Sequence, residues 1–425
     1  MGCECNGKKM FARGSREIIN FTVIFTLGKK ITNHQPPRVQ KMKHYKFYSA
    51  FFCSLLLQTQ AHALATSKVD ELAHSFMQEQ QIDGMSLAVV QDGKSKIYNY
   101  GFADKANNVR TTSDTIYTIA SFTKTITAAL SAVASVEGKV DLNKPFINYF
   151  PAVKHSKNLK DITSSQLLGH VSSMPFDFSP RPTTFTELVN QLKEFKPSYK
   201  PGSEYSYSNA GIGTMGYVLQ NVYAKPYEEI LQEKLLTPLN MTSTYLSVPA
   251  DKEKFIAVAH EKDNTIVPYS KTTAVWFAAA SLKSTIHDMA NYLAANIEYQ
   301  TAQNTTLSDA LALVHANKYC FTGGIACEQL AWQAHRISEL DKSTGDTCFL
   351  QFDKNGFPTF CKKQVVPNPE FGKQAVFIDK TGSGYGMSSY MVYIPGKKVG
   401  VVLLLNKNVG DERIQFVRSL IQQLG

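Results

Sequence analysis

Three short stretches of this sequence hold residues that can do chemistry together. "TIASFTKTITAAL", Thr118 to Leu130, sets Ser121 and Lys124 three apart at the head of an alanine-rich run. Positions i and i+3 of a helix share a face, so a hydroxyl and an amine meet one turn from a helix start. A serine there lies beside unsatisfied backbone N–H groups, which favour negative charge. The amine can lower the hydroxyl's proton affinity or accept its proton. Serine is also a common helix cap, so the pair alone decides nothing. "EYSYSNAG" adds Tyr207 and Asn209 in a loop of small residues. "IDKTGSGYG" adds Lys380, Thr381, Gly382 and Ser383 at the end of a strand candidate. Each motif is weak alone; all three in this order form a specific signal.

Together they describe acyl transfer. Ser121 is the candidate nucleophile on an amide-type carbonyl, and the N–H groups of Ser121 and Ser383 are candidates for an oxyanion hole. Tyr207 starts from a pKa of about 10 and needs nearby cations to act as a base near neutral pH; Lys124 and Lys380 are the candidates. Asn209 can orient Lys124 and donate to a substrate amide. Thr381 and Lys380 can bind a carboxylate, and Gly382 lets the strand edge pair with a substrate backbone.

The elements that must position these groups follow from periodicity. Lys68 to Gln80 reads as a helix with Val69, Leu72, Phe76 and Met77 on one face. "MSLAVVQDGKSKIYNYG" reads as a hairpin about Asp92-Gly93. The Ser121 helix shows Ile126, Leu130 and Val133 at helical spacing and should run to about Val136, with Gly138 as its stop. The middle carries helical patterns such as Thr186–Phe195 and Tyr227–Leu236. "SSYMVYIPGKKVGVVLLLN" reads as a hairpin about Pro395-Gly396, and "DERIQFVRSLIQQL" as an amphipathic closing helix. The expected fold is α/β: a mixed antiparallel sheet flanked by helices and built from both chain ends. Residues 64–145 and 330–425 would form this α/β domain, with 146–329 an inserted, mainly helical domain.

The three motifs are the set of the penicillin-recognising serine hydrolases. The chain resembles the class C β-lactamases, the serine cephalosporinases, over nearly all of its mature length. "PLNMTSTYLSVP", "LKSTIHDMANYL" and "IPGKKVGVVLLLNKN" look like that family at the matching places. Tyr-x-Asn at the loop favours class C over class A, whose loop is Ser-Asp-Asn. The resemblance implies that Ser121 is acylated by cephalosporins and penicillins and freed by water, with Lys124, Tyr207, Asn209 and Lys380 as its partners. It implies no cofactor and no metal, a β-lactam as the small-molecule partner, and a monomer. Its departures bear on substrate range. Asp177 stands where a substrate-contacting glutamine is common, and Ala280 where a pocket tyrosine is usual. Arg413 in "KNVGDER" matches a site arginine, while a neighbouring asparagine is lost. A DD-peptidase or an esterase of the same fold is the alternative; a non-catalytic binding module would not need all four of Ser121, Lys124, Tyr207 and Lys380.

Charge and cysteine place the chain. The net charge of +10 is uneven: residues 1–63 contribute +8 and the other 362 residues only +2. No basic stripe with interleaved aromatics remains, which sets nucleic acid aside. From Met42, Lys43 and Lys46 precede an apolar run, Phe47 to Leu57, and small residues at Ala61 to Ala65. This order is that of a secretory signal peptide over 42–63, which implies the periplasm and no stable membrane insertion. Residues 1–41 are expected to be an upstream extension, with Met42 the true start. Cys320, Cys327, Cys348 and Cys361 remain after cleavage. In an oxidising compartment they read as two disulfides with three possible pairings, the local pairs Cys320–Cys327 and Cys348–Cys361 being preferred. Zinc is disfavoured because the spacings are not C-x-x-C. "GIGTMG", Gly211 to Gly216, fits a dinucleotide fingerprint but lacks its strand context; close helix packing is the better reading.

Overall fold

Asp92 and Gly93 both take positive φ, 48° and 73°, as a two-residue hairpin turn demands. They join β1 (Gly84–Gln91) to β2 (Lys94–Asp104) in the expected antiparallel register, Gln91 opposite Lys94. The computed structural model describes residues 68–269, 275–299, 305–316, 319–322, 324, 326–342, 350–352, 358–360, 363–366, 371 and 375–424. The expected extension 1–41, the signal peptide 42–63, and Cys348 and Cys361 lie outside the described residues.

The remaining strands of the main sheet are β3 (Val109–Arg110), β4 (Glu204–Tyr205), β5 (Tyr319–Phe321), β6 (Ala326–Glu328), β7 (Gln333–Arg336), β8 (Lys363–Val366), β9 (Val376–Gly384), β10 (Met387–Ile394) and β11 (Val399–Leu405). They align in the order β3-β2-β1-β11-β10-β9-β7-β6-β5-β8-β4, and the pairs are antiparallel. β1 and β11 thus join strands from the two ends of the chain, as expected. β4, β5 and β6 bring residues of the stretch 146–329, read as mainly helical, into the same sheet.

The sheet is covered on both faces, so its central strands are apolar throughout. Leu87, Leu403 and Leu405 pack with Val69 and Phe76 of helix α1 (68–80) and with Val417 and Leu420 of the closing helix (Glu412–Leu424). Ala88, Val402 and Leu404 face the other way, onto Met289 and Leu293 of the helix Ile286–Glu298. Helix α2 (Thr123–Val136) differs from its expected single apolar face, because every residue from Thr123 to Ala134 is buried. Its hydroxyls permit this by bonding to nearby carbonyls: Thr125 to Phe122, Thr127 to Ala278 and Ser131 to Thr127. Gly138, at φ 73°, ends it as expected.

Candidate active site

Ser121 stands in a single 3-10 turn, Ala120–Phe122, immediately before α2. Neither this turn nor α2 has a side-chain N-cap bond, so the serine is not spent as a cap. Ala120 holds φ 46°, a left-handed conformation uncommon for a residue with a Cβ and often found at functional sites. The turn is fixed from two sides. Ile119 N–H donates to Leu282 O at 3.0 Å, and Ile119 O accepts from Ser389 Oγ at 3.1 Å. The K-T-G strand β9 lies directly against it. A Cβ on Gly382 would run into Ile119 O, Ser389 Oγ and Phe122 N. Gly382 was expected to serve strand pairing with substrate; its missing side chain makes room for the turn that carries Ser121.

Lys124 Nζ lies 3.0 Å from Ser121 Oγ and donates to Ala279 O at 2.9 Å. The side chain is wholly buried. Burial, with Lys380 as a second cation nearby, pushes its pKa well below the usual lysine value. Tyr207 sits between the two lysines: Lys124 Nζ is 4.9 Å and Lys380 Nζ 5.2 Å from its ring centroid. Lys380 Nζ donates to Tyr207 Oη at 3.5 Å and to Thr381 O at 2.9 Å. Burial lowers Lys380 to about 8. The Tyr207 phenol is not brought toward neutral pKa, as the two lysines had been expected to bring it: burial pushes it up, with the Ser121 hydrogen bond as the opposing effect.

Asn209 opens the helix Asn209–Tyr223, whose N-cap, Ser208, accepts from Gly211 N at 2.8 Å. Asn209 does not orient Lys124, whose second bond goes to Ala279 O. Asp177 is half-buried on the preceding loop, next to the Asn209 and Trp276 side chains and close to Lys124. Burial raises its pKa. At the other end, Arg413 Nη2 donates to Ser383 Oγ at 2.7 Å, and Nη1 donates to Gly410 O at 2.7 Å and to Val409 O. The last pair of β7 with β9 is Gln333–Asp379. Among the described residues, β9 beyond Asp379 has no strand on that edge.

The family model described as Beta-lactamase matches residues 69–424. The chain belongs to the β-lactamase family. A curated β-lactamase from Pseudomonas fluorescens is 28% identical over 84% of this chain and 98% of its own length. A class C β-lactamase solved in complex with cefoxitin superposes with a TM-score of 0.75 at 27% identity, covering 85% of this chain and 99% of that one. A protein from Pseudomonas syringae, titled a β-lactamase/D-alanine carboxypeptidase, gives a TM-score of 0.76 at 26% identity, covering 85% and 99%. The fold is thus that of the β-lactamase and DD-peptidase structures.

Two buried groups of this β-lactamase were not singled out from the sequence. His170 packs on the Tyr207 ring, and its Nδ1 accepts from Ser208 N at 3.1 Å. Glu328, on β6, is 1% exposed with Oε2 lacking a hydrogen-bond partner, and it raises the proton affinity of Lys380. His170 is the only titratable residue in "LLGHVSSM" and Glu328 the only charged one in "GIACEQLAW"; that isolation was the available signal. Asp379 is clamped beneath Lys380 by Arg418 Nη2 and Tyr390 Oη, each at 2.7 Å, and by His335 at 3.2 Å. The Gly211–Gly216 run is a packing device, as read: Cβ atoms on Gly213 and Gly216 would strike Trp276, and Phe277 and Ala278. Ala280 borders a cavity of about 400 Å³ with Ile266, Tyr269 and Tyr385. Cys320 and Cys327 are disulfide-bonded across β5 and β6, the local pairing expected.

Proposed function

We propose that this enzyme is a class C serine β-lactamase that opens β-lactams through an acyl-enzyme on Ser121. The observation that carries the reading is the 3.0 Å approach of a buried lysine amine to Ser121 Oγ. Membership of the β-lactamase family and the likeness to class C structures support it.

In the acylation step, Ser121 Oγ gives its proton to the neutral amine of Lys124 and attacks the lactam carbonyl carbon. The carbonyl oxygen becomes an oxyanion, held by the Ser121 and Ser383 N–H groups. The lactam C–N bond then breaks, and the leaving nitrogen takes a proton from Tyr207 Oη. Tyr207 recovers the proton from Lys124, and the acyl group is on Ser121. A phenol of raised pKa suits a donor better than a base. In deacylation, water adds to the ester carbon, the same groups move its proton, and the bond from that carbon to Ser121 Oγ breaks, releasing the ring-opened carboxylate and restoring the Ser121 hydroxyl. Lys380, Thr381 and Arg413 bind the substrate carboxylate; Asn209 donates to the acyl-side amide. The likeness to a structure titled a β-lactamase/D-alanine carboxypeptidase supports D-alanyl peptide cleavage as a second reading.

The chain would act in the periplasm as a monomer after loss of 42–63. Among the described residues, no helix is long and apolar enough to cross a membrane. Steady-state turnover of a chromogenic cephalosporin by purified protein tests the activity. Repeated turnover is expected; a stable acyl-enzyme with no turnover would favour the peptidase. Ser121→Ala should abolish covalent labelling by a penicillin.

A further inference from the structure

The site has opposite charge at its two ends. Lys380 and Arg413 gather on the β9 side, where Arg413 holds Ser383. Asp177 stands on the other side, beside Asn209. Its only ion pair among the described residues is a loose one: Asp177 Oδ2 is 3.9 Å from Arg181 Nε, and that arginine side chain is 52% exposed. Such an exposed contact holds little energy. Asp177 Oδ1 is buried with no hydrogen-bond partner, which is costly for a carboxylate. Asn209 and Trp276 lie beside this carboxylate, and their side chains oppose the rise in its pKa; Asn209 Oδ1 is itself a buried acceptor without a partner. Two buried acceptors thus collect at one spot, and one of them is a carboxylate.

We propose that Asp177 reads an ammonium on the acyl side of the substrate, so that this enzyme favours β-lactams with an α-amino acyl side chain. The proposal rests on the β-lactamase reading. Asn209 is the donor for the acyl amide there, and an α-amine lies one carbon beyond that amide's carbonyl. A group bound at Asn209 therefore brings its α-substituent to the neighbouring Asp177. Burial and Lys380 hold the pKa of Lys124, the other amine close to Asp177, well below the usual lysine value, which weakens its repulsion of an incoming ammonium. A zwitterionic substrate would meet charge of the right sign at both ends: its ring carboxylate at Lys380 and Arg413, its ammonium at Asp177. The neutral amide of a glutamine could accept from the ammonium but would bring no opposite charge to it.

Benzylpenicillin and ampicillin test this, since they differ only by the α-amine. The comparison is made below pH 7.7, about the usual α-amine pKa. The ratio of kcat/KM for ampicillin to that for benzylpenicillin should fall by roughly tenfold or more in Asp177→Asn, the scale of a lost hydrogen bond to a charged group. Arg181→Ala removes only the competing cation and should raise the ratio. An equal ratio in wild type and Asp177→Asn, with both penicillins turned over, overturns the proposal. Should Asp177→Asn fail to fold, the Arg181→Ala ratio decides: a rise supports the proposal and no change overturns it. Wild-type protein that turns over neither penicillin removes the β-lactamase reading, and the proposal with it.

Discussion

The imidazole of His170 lies on the phenol of Tyr207, with ring centroids 4.3 Å apart and 34° between the planes. Its Nδ1 accepts the Ser208 N–H at 3.1 Å, so the neutral ring carries its proton on Nε2. Burial, Lys124 and Lys380 all hold its pKa well below the usual histidine value. The ring is thus a neutral shelf that sets both the Tyr207 plane and the start of the Asn209 helix. His170→Ala removes the shelf and orphans a buried N–H, which costs about 1–3 kcal/mol. We expect a lower melting temperature and a kcat reduced by about tenfold, less than the roughly 10²–10⁴-fold of losing an acid–base group outright. Unchanged kcat in a stable His170→Ala protein would show that Tyr207 needs no such support.

The pH profile should have an alkaline limb. Lys380 is lowered to about 8 by burial, and its ammonium is the form that binds a carboxylate. As pH rises through about 8 that charge is lost, so kcat/KM for penicillins should fall there. In the proposed mechanism Lys124 accepts as the neutral amine; burial lowers its pKa, so activity should fall as pH drops through that depressed value. Lys380→Arg keeps a cation at all relevant pH and should move the alkaline limb upward. A limb that stays in place in Lys380→Arg would assign it to another group.

Glu328 bears on the same limb. Its carboxylate raises the pKa of Lys380 against the larger effect of burial. Glu328→Gln removes that support at nearly constant volume. The limb should move to lower pH, with kcat at neutral pH changed less. An unmoved limb would mean that Glu328 is already protonated in the active enzyme, as its own burial favours.

How much of this was legible follows from where each signal resides. The Asp92-Gly93 and Pro395-Gly396 hairpins were readable because turn chemistry and strand pattern are both local. Ser121, Lys124, Tyr207 and Lys380 were readable as motifs, and their meeting around one phenol ring accords with that reading. The strands β4 to β6 were not readable. With two to three residues each, they are too short to show alternation, and only long-range pairing makes them strands. The direction of the Tyr207 shift was also hidden. Sequence names the two lysines beside it but not the burial that raises its pKa.

Cys320 and Cys327 face each other across adjacent strands, seven residues apart in sequence. A bridge closing so short a loop should contribute about 2–3 kcal/mol by restricting the unfolded chain. Peptide mapping of non-reduced protein should recover a linked Cys320–Cys327 pair, and Cys327→Ser should lower the melting temperature. Free thiols at both positions in exported protein would contradict the pairing.

The sharpest structural prediction concerns Gly382. Its α-carbon abuts the turn that carries the nucleophile, and an added methyl would meet Ile119 O, Phe122 N and Ser389 Oγ. Two of these atoms are backbone, and they are not free to move: Phe122 N–H donates to Ile119 O at 3.0 Å, closing the turn around Ser121. Gly382→Ala must therefore shift β9 or the turn, and either shift separates Ser121 from Lys380 and from the Ser383 N–H. Overpacking of this kind costs about 1–3 kcal/mol, which a chain of this size can absorb. A displacement near 1 Å in the reacting groups can cost on the order of 10²-fold in rate. We expect Gly382→Ala to fold, to show a modestly lower melting temperature, and to lose roughly 10²-fold in the rate of acylation by penicillin. Lys124 and Ser121 share one helix start, so their mutual distance should survive, and slow labelling of Ser121 should still occur. Acylation at the wild-type rate would show that the strand can retreat without moving the oxyanion-binding N–H groups, and that the close contact seen at Gly382 is not what aligns the site.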